Sequence, residues 1–455
     1  MMHLNNELIK KYNVPGPRYT SYPTVPHWSV APTREEWANS VRMRFSETNH
    51  KDGISLYIHL PFCESLCTYC GCNTRITKNH AVEVPYAKAI LKEWSLYRSF
   101  LESTPKLREI HLGGGTPTFF SPENLGSLVK AILDDSERLP DFEFSFEAHP
   151  ANTSEEHLIV LNSLGFKRLS LGVQDFNPKV QKAINRHQTV QDVARVMSQA
   201  KKTGYTSINL DIIYGLPFQT LKGIQETIGE MIRLKPERIA YYSYAHVPWI
   251  KPGQRGFTEM DLPTDAYKRS LYELGKEMLL EAGYLEVGLD HFSLPHDELF
   301  VAMKEGKMHR NFMGYTAHKS ELLVGLGVSS ISDSWDMFAQ NEKTLPKYYE
   351  ALEQNQLPIL KGHILSNEDL LVRKIILDLM CNFKTTLIDL KKFDLHYAIF
   401  RSKIRPLILD GLAEIQADSL VVLEKGKPFV RNICMTLDFY LDGKSDLTER
   451  FSTTV

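Results

Sequence analysis

The 455-residue sequence predicts an α/β fold: a partial (β/α)6, TIM-like barrel with an N-terminal arm and a mostly helical C-terminal domain. Three observations predict it. Six β-rich segments recur between residues 54 and 247, with helical patterns between them. The residues of most conspicuous chemistry fall at or near the C-terminal ends of those segments, where such barrels place their sites. From about residue 365 the βα rhythm gives way to amphipathic helices.

The first element is the arm, residues 1–50. Within it PGPRYTSYPTVPHW (15–28) sets four prolines among aromatic residues, the pattern of an extended segment that packs by its rings. The strand segments are ISLYIHLPF (54–62), LREIHL (107–112), FEFSFE (142–147), RLSLGV (168–173), SINLDIIY (207–214) and RIAYYSYAHV (238–247). The clearest helix between them starts at Ser121-Pro122 and carries Leu125, Leu128, Val129, Ile132 and Leu133 on one stripe. Cys63 follows the first strand, Gly113–Gly115 the second and Gln174 the fourth. Glu147 ends the third, and Asp211 and Ala245 lie within the fifth and sixth segments. Residues 51–364 form the barrel with an extension that contains HRNFMGYT (309–316) and LLVGLGVSSI (322–331). Residues 365–455, with a short VVLEKGKPFV stretch (421–430), form the C-terminal domain.

The composition is ordinary for a globular chain, 43% hydrophobic and 24% charged, with a formal net charge of −2. Nothing in it points to nucleic acid or a membrane surface. No apolar run approaches the ~18 residues of a membrane span, and MMHLNNELIKKYN lacks the apolar stretch of a signal peptide. A cytoplasmic monomer with reduced thiols is expected. Four of the six cysteines fall in CESLCTYCGC (63–72), spaced C-x3-C-x2-C-x-C. Thiolates in such a run hold zinc or an iron–sulfur cluster. A structural zinc site wants a second knuckle, which is missing. A four-cysteine cluster uses every thiol. A three-thiolate cluster leaves one iron open to a bidentate ligand. C-x3-C-x2-C after the first strand of a barrel, with the Tyr69 ring before the third cysteine, resembles the signature of S-adenosylmethionine radical enzymes.

HLGGGTPT (111–118) reads as a glycine turn that lets backbone approach a ligand, and not as a Walker loop, because no Gly-Lys-Ser/Thr follows. GLGVSS (325–330) lacks the third glycine of a dinucleotide fingerprint. Glu147 and Asp211 are strand carboxylates, either satisfied core groups or holders of ribose hydroxyls. Arg186 is a helix-surface charge or a ligand contact. His309-Arg310 reads as a solvated pair, and Cys381 and Cys434 as core residues.

Taken together, PGPRYTSYPT, YIHLPFCESLCTYCGCN, HLGGGTPT, LGVQDFN, NLDIIYGLP, YAHVP, DHFSLP, MHRNF–GYT and RNICM resemble the oxygen-independent coproporphyrinogen III oxidase family nearly end to end. The resemblance implies a barrel of the radical S-adenosylmethionine type. It implies that Cys63, Cys67 and Cys70 ligate a [4Fe–4S] cluster and that Cys72 is an additional, non-ligating cysteine. Tyr57, Gly114, Glu147 and Ile331 match contacts to the cluster-bound S-adenosylmethionine. Tyr69, Gly115, Thr116, Gln174, Arg186, Asp211 and Ala245 match a second S-adenosylmethionine site. Tyr57, Cys72 and Arg310 are implied as catalytic residues, and Arg431 as a partner for a substrate carboxylate. The implied substrate is coproporphyrinogen III, two of whose propionates become vinyls with loss of carbon dioxide. The implied redox partner is a reducing protein such as a flavodoxin or ferredoxin. Two positions depart from the family pattern: Met313 stands where Gln is common, and His149 where Asp is common. A haem-carrying or haem-modifying methyltransferase relative is the alternative.

Overall fold

The computed structural model describes residues 6–28, 31–442 and 451–454. Six parallel strands follow in sequence: β1 (Ile54–Leu60), β2 (Lys106–Gly114), β3 (Glu137–Ala148), β4 (Phe166–Gln174), β5 (Ser207–Tyr214) and β6 (Arg238–Ser243). A helix follows each, and Ser121 starts the one at Pro122–Leu133 by accepting the Asn124 N–H at 3.1 Å. Two short antiparallel strands, β7 (Leu285–Val287) and β8 (His291–Ser293), cover the β6 edge. The other edge is built by β9 (Leu323–Leu326), β10 (Ile331–Asp333), β11 (Met337–Asn341) and β12 (Ile359–Ile364). The sheet order is β12-β11-β10-β9-β1-β2-β3-β4-β5-β6-β8-β7.

Alternation along the strands explains the barrel. Leu56, Ile58, Ile110, Leu112, Phe144, Phe146, Leu169, Leu171, Ile208 and Leu210 are fully buried in one apolar cluster with the helices. The intervening residues turn polar groups to the interior. Ser55 donates to Glu109 at 2.8 Å, His111 meets Ser145 at 2.8 Å, and Ser170 donates to Asp211 at 3.0 Å. At the N-terminal end of the barrel this interior is an ion network: Arg168 pairs with Glu143 at 2.7 Å and Arg238 with Asp297 at 2.6 Å. Burial pushes Glu109 there up to about 7. The C-terminal ends are free for a site.

β9 is a seventh parallel strand, paired with β1, which the glycines of LLVGLGVSSI had concealed. Gly327 has φ of +97° and gives its N–H to the buried Glu93 at 2.8 Å. Its loop is therefore a structural turn. A second apolar core joins the arm to the C-terminal residues: Leu8, Ile9, Tyr12, Tyr19 and Tyr22 pack with Val372, Leu379, Phe400, Phe429 and Ile433. The C-terminal segment adds a three-stranded sheet of Lys384–Thr386, Ala413–Gln416 and Ser419–Val422 to its helices. Cys381 and Cys434 are buried core residues. No helix among the described residues is long and apolar enough to cross a membrane.

Candidate active site

The cysteine run leaves the end of β1 as a loop. It is closed by pairing of Phe62–Cys63 with Arg75–Ile76 and packed on the segment after β4 through the Thr68 N–H to the Ile184 carbonyl at 3.0 Å. Cys63, Cys67, Cys70 and Cys72 all line one open cavity of about 520 Å3. Tyr69, Gly114, Gly115, Thr116, Glu147, Gln174, Arg186 and Asp211 line the same cavity. Most residues singled out in the sequence therefore converge.

The four thiols are not equivalent. The Cys72 amide donates to the Cys70 sulfur at 3.4 Å. The neighbouring Cys72 side chain brings the Cys70 thiol down to about 6, and the Cys72 thiol is pushed up in turn. Burial pushes Cys63 up to about 11, although Thr116 lies 3.3 Å from its sulfur.

The glycines after β2 form a cradle. Gly114 has φ of +110°, and a Cβ there would sit 2.6 Å from the His59 ring. A Cβ on Gly115 would sit 2.6 Å from the Pro61 carbonyl carbon. Glu147 accepts the Gly114 N–H at 3.2 Å and lies 3.5 Å from His111. Burial opposes its ionisation, yet His111 and the Gly114 amide hold its carboxyl below the ordinary range. Across the cavity Asp211 accepts from Ser170 at 3.0 Å and Asn209 at 2.8 Å, and burial beside Glu147 raises it to about 6.

Arg186 is buried, contrary to a helix-surface reading. It donates to Gln188 at 3.0 Å and to the Gly172 carbonyl, and its Nη1 lies 3.7 Å from Cys67 Sγ and 3.5 Å from the Tyr69 hydroxyl. His149 also lines the cavity, and burial with Arg186 nearby lowers it to about 3, so it is neutral.

Four expected residues do not line this cavity. Tyr57 stands just behind it, its ring 3.1 Å from the Cβ position of Gly113. Ile331 begins β10, beside the Gly325 that pairs with Tyr57. Ala245 falls past the end of β6, because the strand stops at Ser243; the Gln254 side-chain amide donates to both its carbonyl and that of Tyr69, at 3.2 Å each. Arg310 is the larger correction. It lines a different cavity, stacks over the Tyr315 ring at 4.4 Å and donates to the carbonyls of Arg18 and Tyr19. Both His309 and Arg310 are buried rather than solvated, because the arm and the C-terminal core cover them. Met313, at a hairpin tip, does not line the cysteine cavity.

Sequence reasoning missed His59, His111, Gln188 and Tyr242. His59 bonds the Tyr57 hydroxyl at 3.0 Å and the Asn73 carbonyl at 2.9 Å, fixing the exit of the cysteine loop. The signal was present as period-2 alternation: 57 and 59, 111 and 113, 145 and 147 share the inner face.

A fold of this kind with thiols at this position defines a class, and the description of the Radical SAM superfamily matches residues 57–231. The chain is 37% identical over 448 residues to an oxygen-independent coproporphyrinogen III oxidase of Synechocystis sp., covering 96% of each chain. It is 36% identical over 453 residues to that of Escherichia coli, covering 98% of each. The solved coproporphyrinogen III oxidase from Escherichia coli superimposes with a TM-score of 0.89 at 34% identity, over 97% of this chain and 100% of that one. The chain belongs to the oxygen-independent coproporphyrinogen III oxidase family.

Proposed function

We propose that this protein oxidatively decarboxylates two propionate side chains of coproporphyrinogen III to vinyls without oxygen, giving protoporphyrinogen IX. The observation that carries the reading is the convergence of Cys63, Cys67 and Cys70 with the Gly114–Gly115 cradle and Glu147 on one cavity. The donor set fits a three-thiolate [4Fe–4S] cluster: Cys63, Cys67 and Cys70 are free, half-buried thiols on one cavity, while Cys72 stands exposed at its lip. The cradle fits S-adenosylmethionine, because Gly114 and Gly115 line the cysteine cavity and present main chain to it beside the Glu147 carboxylate. When bound, the cluster and S-adenosylmethionine supply an electron and a 5′-deoxyadenosyl radical, chemistry that no side chain provides.

The chain's own residues bind and orient. Gly114, Glu147 and Tyr57, with Ile331 behind them, would hold the first S-adenosylmethionine. Tyr69, Gly115, Thr116, Gln174, Arg186 and Asp211, with Ala245 at the rim, would hold a second. The propionate C–H is too weak an acid for a side-chain base, so these carboxylates serve as hydrogen-bond acceptors for the ligands and not as proton abstractors. Cys72, at the exposed lip, would act beside the cluster without ligating it. Residues 365–455, tied to the arm of residues 1–50 by a shared core, would cover the barrel mouth of residues 51–364 and exclude water. Each propionate would give its hydrogen atom to the 5′-deoxyadenosyl radical, its carboxylate as carbon dioxide and its remaining electron to a one-electron acceptor. A monomer in the cytoplasm, reduced by a flavodoxin or ferredoxin, completes the reading; the free thiols suit a reducing setting.

The test is an anaerobic assay of reconstituted protein with coproporphyrinogen III. Protoporphyrinogen IX and 5′-deoxyadenosine should form together. Formation of S-adenosylhomocysteine instead would make the chain a methyltransferase.

A further inference from the structure

A second cavity, of about 50 Å3, lies at the ends of β5 and β6, lined by Arg18, Arg269, Arg310 and Arg431 together with Glu286 and Asp290. Strand register places it one residue from the active site. Ile213 pairs with Tyr242 and both line the cysteine cavity; Tyr214 pairs with Ser243 and both line this one. The Tyr242 hydroxyl lies 3.3 Å from His291, which meets Asp290 at 2.8 Å, so side chains link the two cavities.

The charges around it do not balance. Arg269 is paired with Glu273, Glu286 with Lys276 and Asp290 with His291. Lys427 on the rim is paired with Glu424. Arg18, Arg310 and Arg431 form no ion pair among the described residues. Arg310 and Arg431 are buried, and their donors go to main-chain carbonyls: those of Arg18 and Tyr19 for Arg310, and those of Gly16, Pro17, Thr453 and Thr454 for Arg431. Their hydrogen bonds are satisfied, and the three guanidinium charges of Arg18, Arg310 and Arg431 share a single facing carboxylate, Asp290. Burial, with Arg18 as the next contribution, brings nearby Lys268 down to about 8 and Arg431 down to about 9, whereas against burial Tyr315 and Asp290 hold Arg310 up. A buried charge without a counter-ion costs several kcal/mol, which an arriving anion offsets. Arg18 is the exposed member. It donates to the Ser243 carbonyl at 3.1 Å, and a guanidinium has five N–H donors to share. The space suits a group the size of a carboxylate.

We propose that this cavity anchors a carboxylate of a substrate propionate that is not converted, with Arg18 as its direct hydrogen-bond donor and Arg310 and Arg431 as fixed positive charges behind it. The proposal rests on the functional reading above, which supplies a substrate with four carboxylates, two of them retained in the product.

The experiment uses the full, cluster-reconstituted protein and two probes, coproporphyrin III and its tetramethyl ester. Arg18→Gln should weaken coproporphyrin III binding by about tenfold or more, because a hydrogen bond to a charged group contributes about 1.5–3 kcal/mol. Ester binding and iron content should stay unchanged, and Arg18→Lys should restore part of the acid affinity. A structural defect would weaken both probes alike. If Arg18→Gln leaves the acid-to-ester affinity ratio as in the wild type, while the wild type makes protoporphyrinogen IX, the anchoring site is wrong and the function stands. If the wild type neither binds coproporphyrin III nor oxidises the porphyrinogen, the functional reading fails and the site with it.

Discussion

The Nε of Arg431, in the C-terminal helix Val430–Met435, donates to the carbonyl of Pro17 at 2.8 Å. This one contact joins residues 414 positions apart and fixes the PGPR segment of the arm against the C-terminal core. Arg431 bonds three further carbonyls, two of them in the chain's last residues. Arg431→Met should leave several main-chain acceptors unpaired. We predict a loss of about 2–4 kcal/mol in unfolding free energy and faster tryptic cleavage after Arg18, read by denaturant titration and N-terminal sequencing. Wild-type behaviour in both would mean that the apolar contacts of Leu8, Ile9, Tyr12, Tyr19 and Tyr22 suffice to hold the arm.

Much of this arrangement was legible in the sequence because it is local. The barrel strands show their alternation within six residues, and each site glycine or carboxylate lies on, or just past, its own strand. What was hidden depends on distant partners. Arg310 and Arg186 looked like surface charges until their covers were known: for Arg310 the arm, 291 residues away, and for Arg186 the cysteine loop, 119 residues away. GLGV could not declare itself a strand and structural turn, because Glu93, which accepts the Gly327 amide, lies 234 positions upstream.

The three-plus-one division of the cysteines predicts distinct metal contents. Cys63→Ala, Cys67→Ala and Cys70→Ala should each lose the cluster. Cys72→Ala should retain iron and sulfide, because Cys72 is the exposed thiol at the lip, outside the C-x3-C-x2-C set. Iron analysis with absorption spectra decides it, and an iron-free Cys72→Ala protein would indicate a four-thiolate site.

Gly115→Ala tests the cradle. The added Cβ would meet the Pro61 carbonyl carbon at 2.6 Å, and that backbone is fixed by the Arg75 N–H at 2.7 Å. The two segments must part, which widens the cradle. We expect 5′-deoxyadenosine formation to fall by about 100-fold, or ~2.7 kcal/mol, at wild-type iron content. A change of less than threefold would show that the glycine is not needed for close approach.

Glu93 gives a pH dependence that can be assigned to one group. Burial raises its carboxyl to about 7, although it accepts from the Gly327 amide at 2.8 Å, Tyr348 at 2.7 Å and Asn341 at 2.6 Å. Its folded pKa lies above the unfolded one, so the folded state binds the extra proton. The resulting stability is full below about pH 4.5 and is lost as pH rises through about 7. Glu93→Gln removes this titration. Between pH 5 and 7 its unfolding free energy should fall less steeply than that of the wild type, by up to ~1.4 kcal/mol per pH unit. Parallel curves from urea titrations across that range would refute the assignment.

The last prediction concerns how the C-terminal residues are joined to the barrel extension. Arg373, in the helix Asn367–Asn382, meets Asp333 at the end of β10 through two parallel bonds of 3.0 and 2.5 Å. Its guanidinium also lies 4.3 Å from the centre of the Trp335 ring and 4.9 Å from that of Phe338, so the pair is walled off from water on both faces. Removing one partner strands the other charge in that setting, which costs about 3–5 kcal/mol. Removing both strands neither. Arg373→Met and Asp333→Leu should therefore each destabilise by about 3–5 kcal/mol, while the double variant should cost little more than either alone. Full recovery is not expected, because Asp333 also accepts the Trp335 N–H at 2.8 Å and Arg373 donates to the Trp335 carbonyl at 2.7 Å. The quantity to measure is the coupling energy from a double-mutant cycle, expected at about 2 kcal/mol or more. Additive losses would mean that the two charges act independently and that the apolar packing around Trp335 and Phe338 alone joins the two parts.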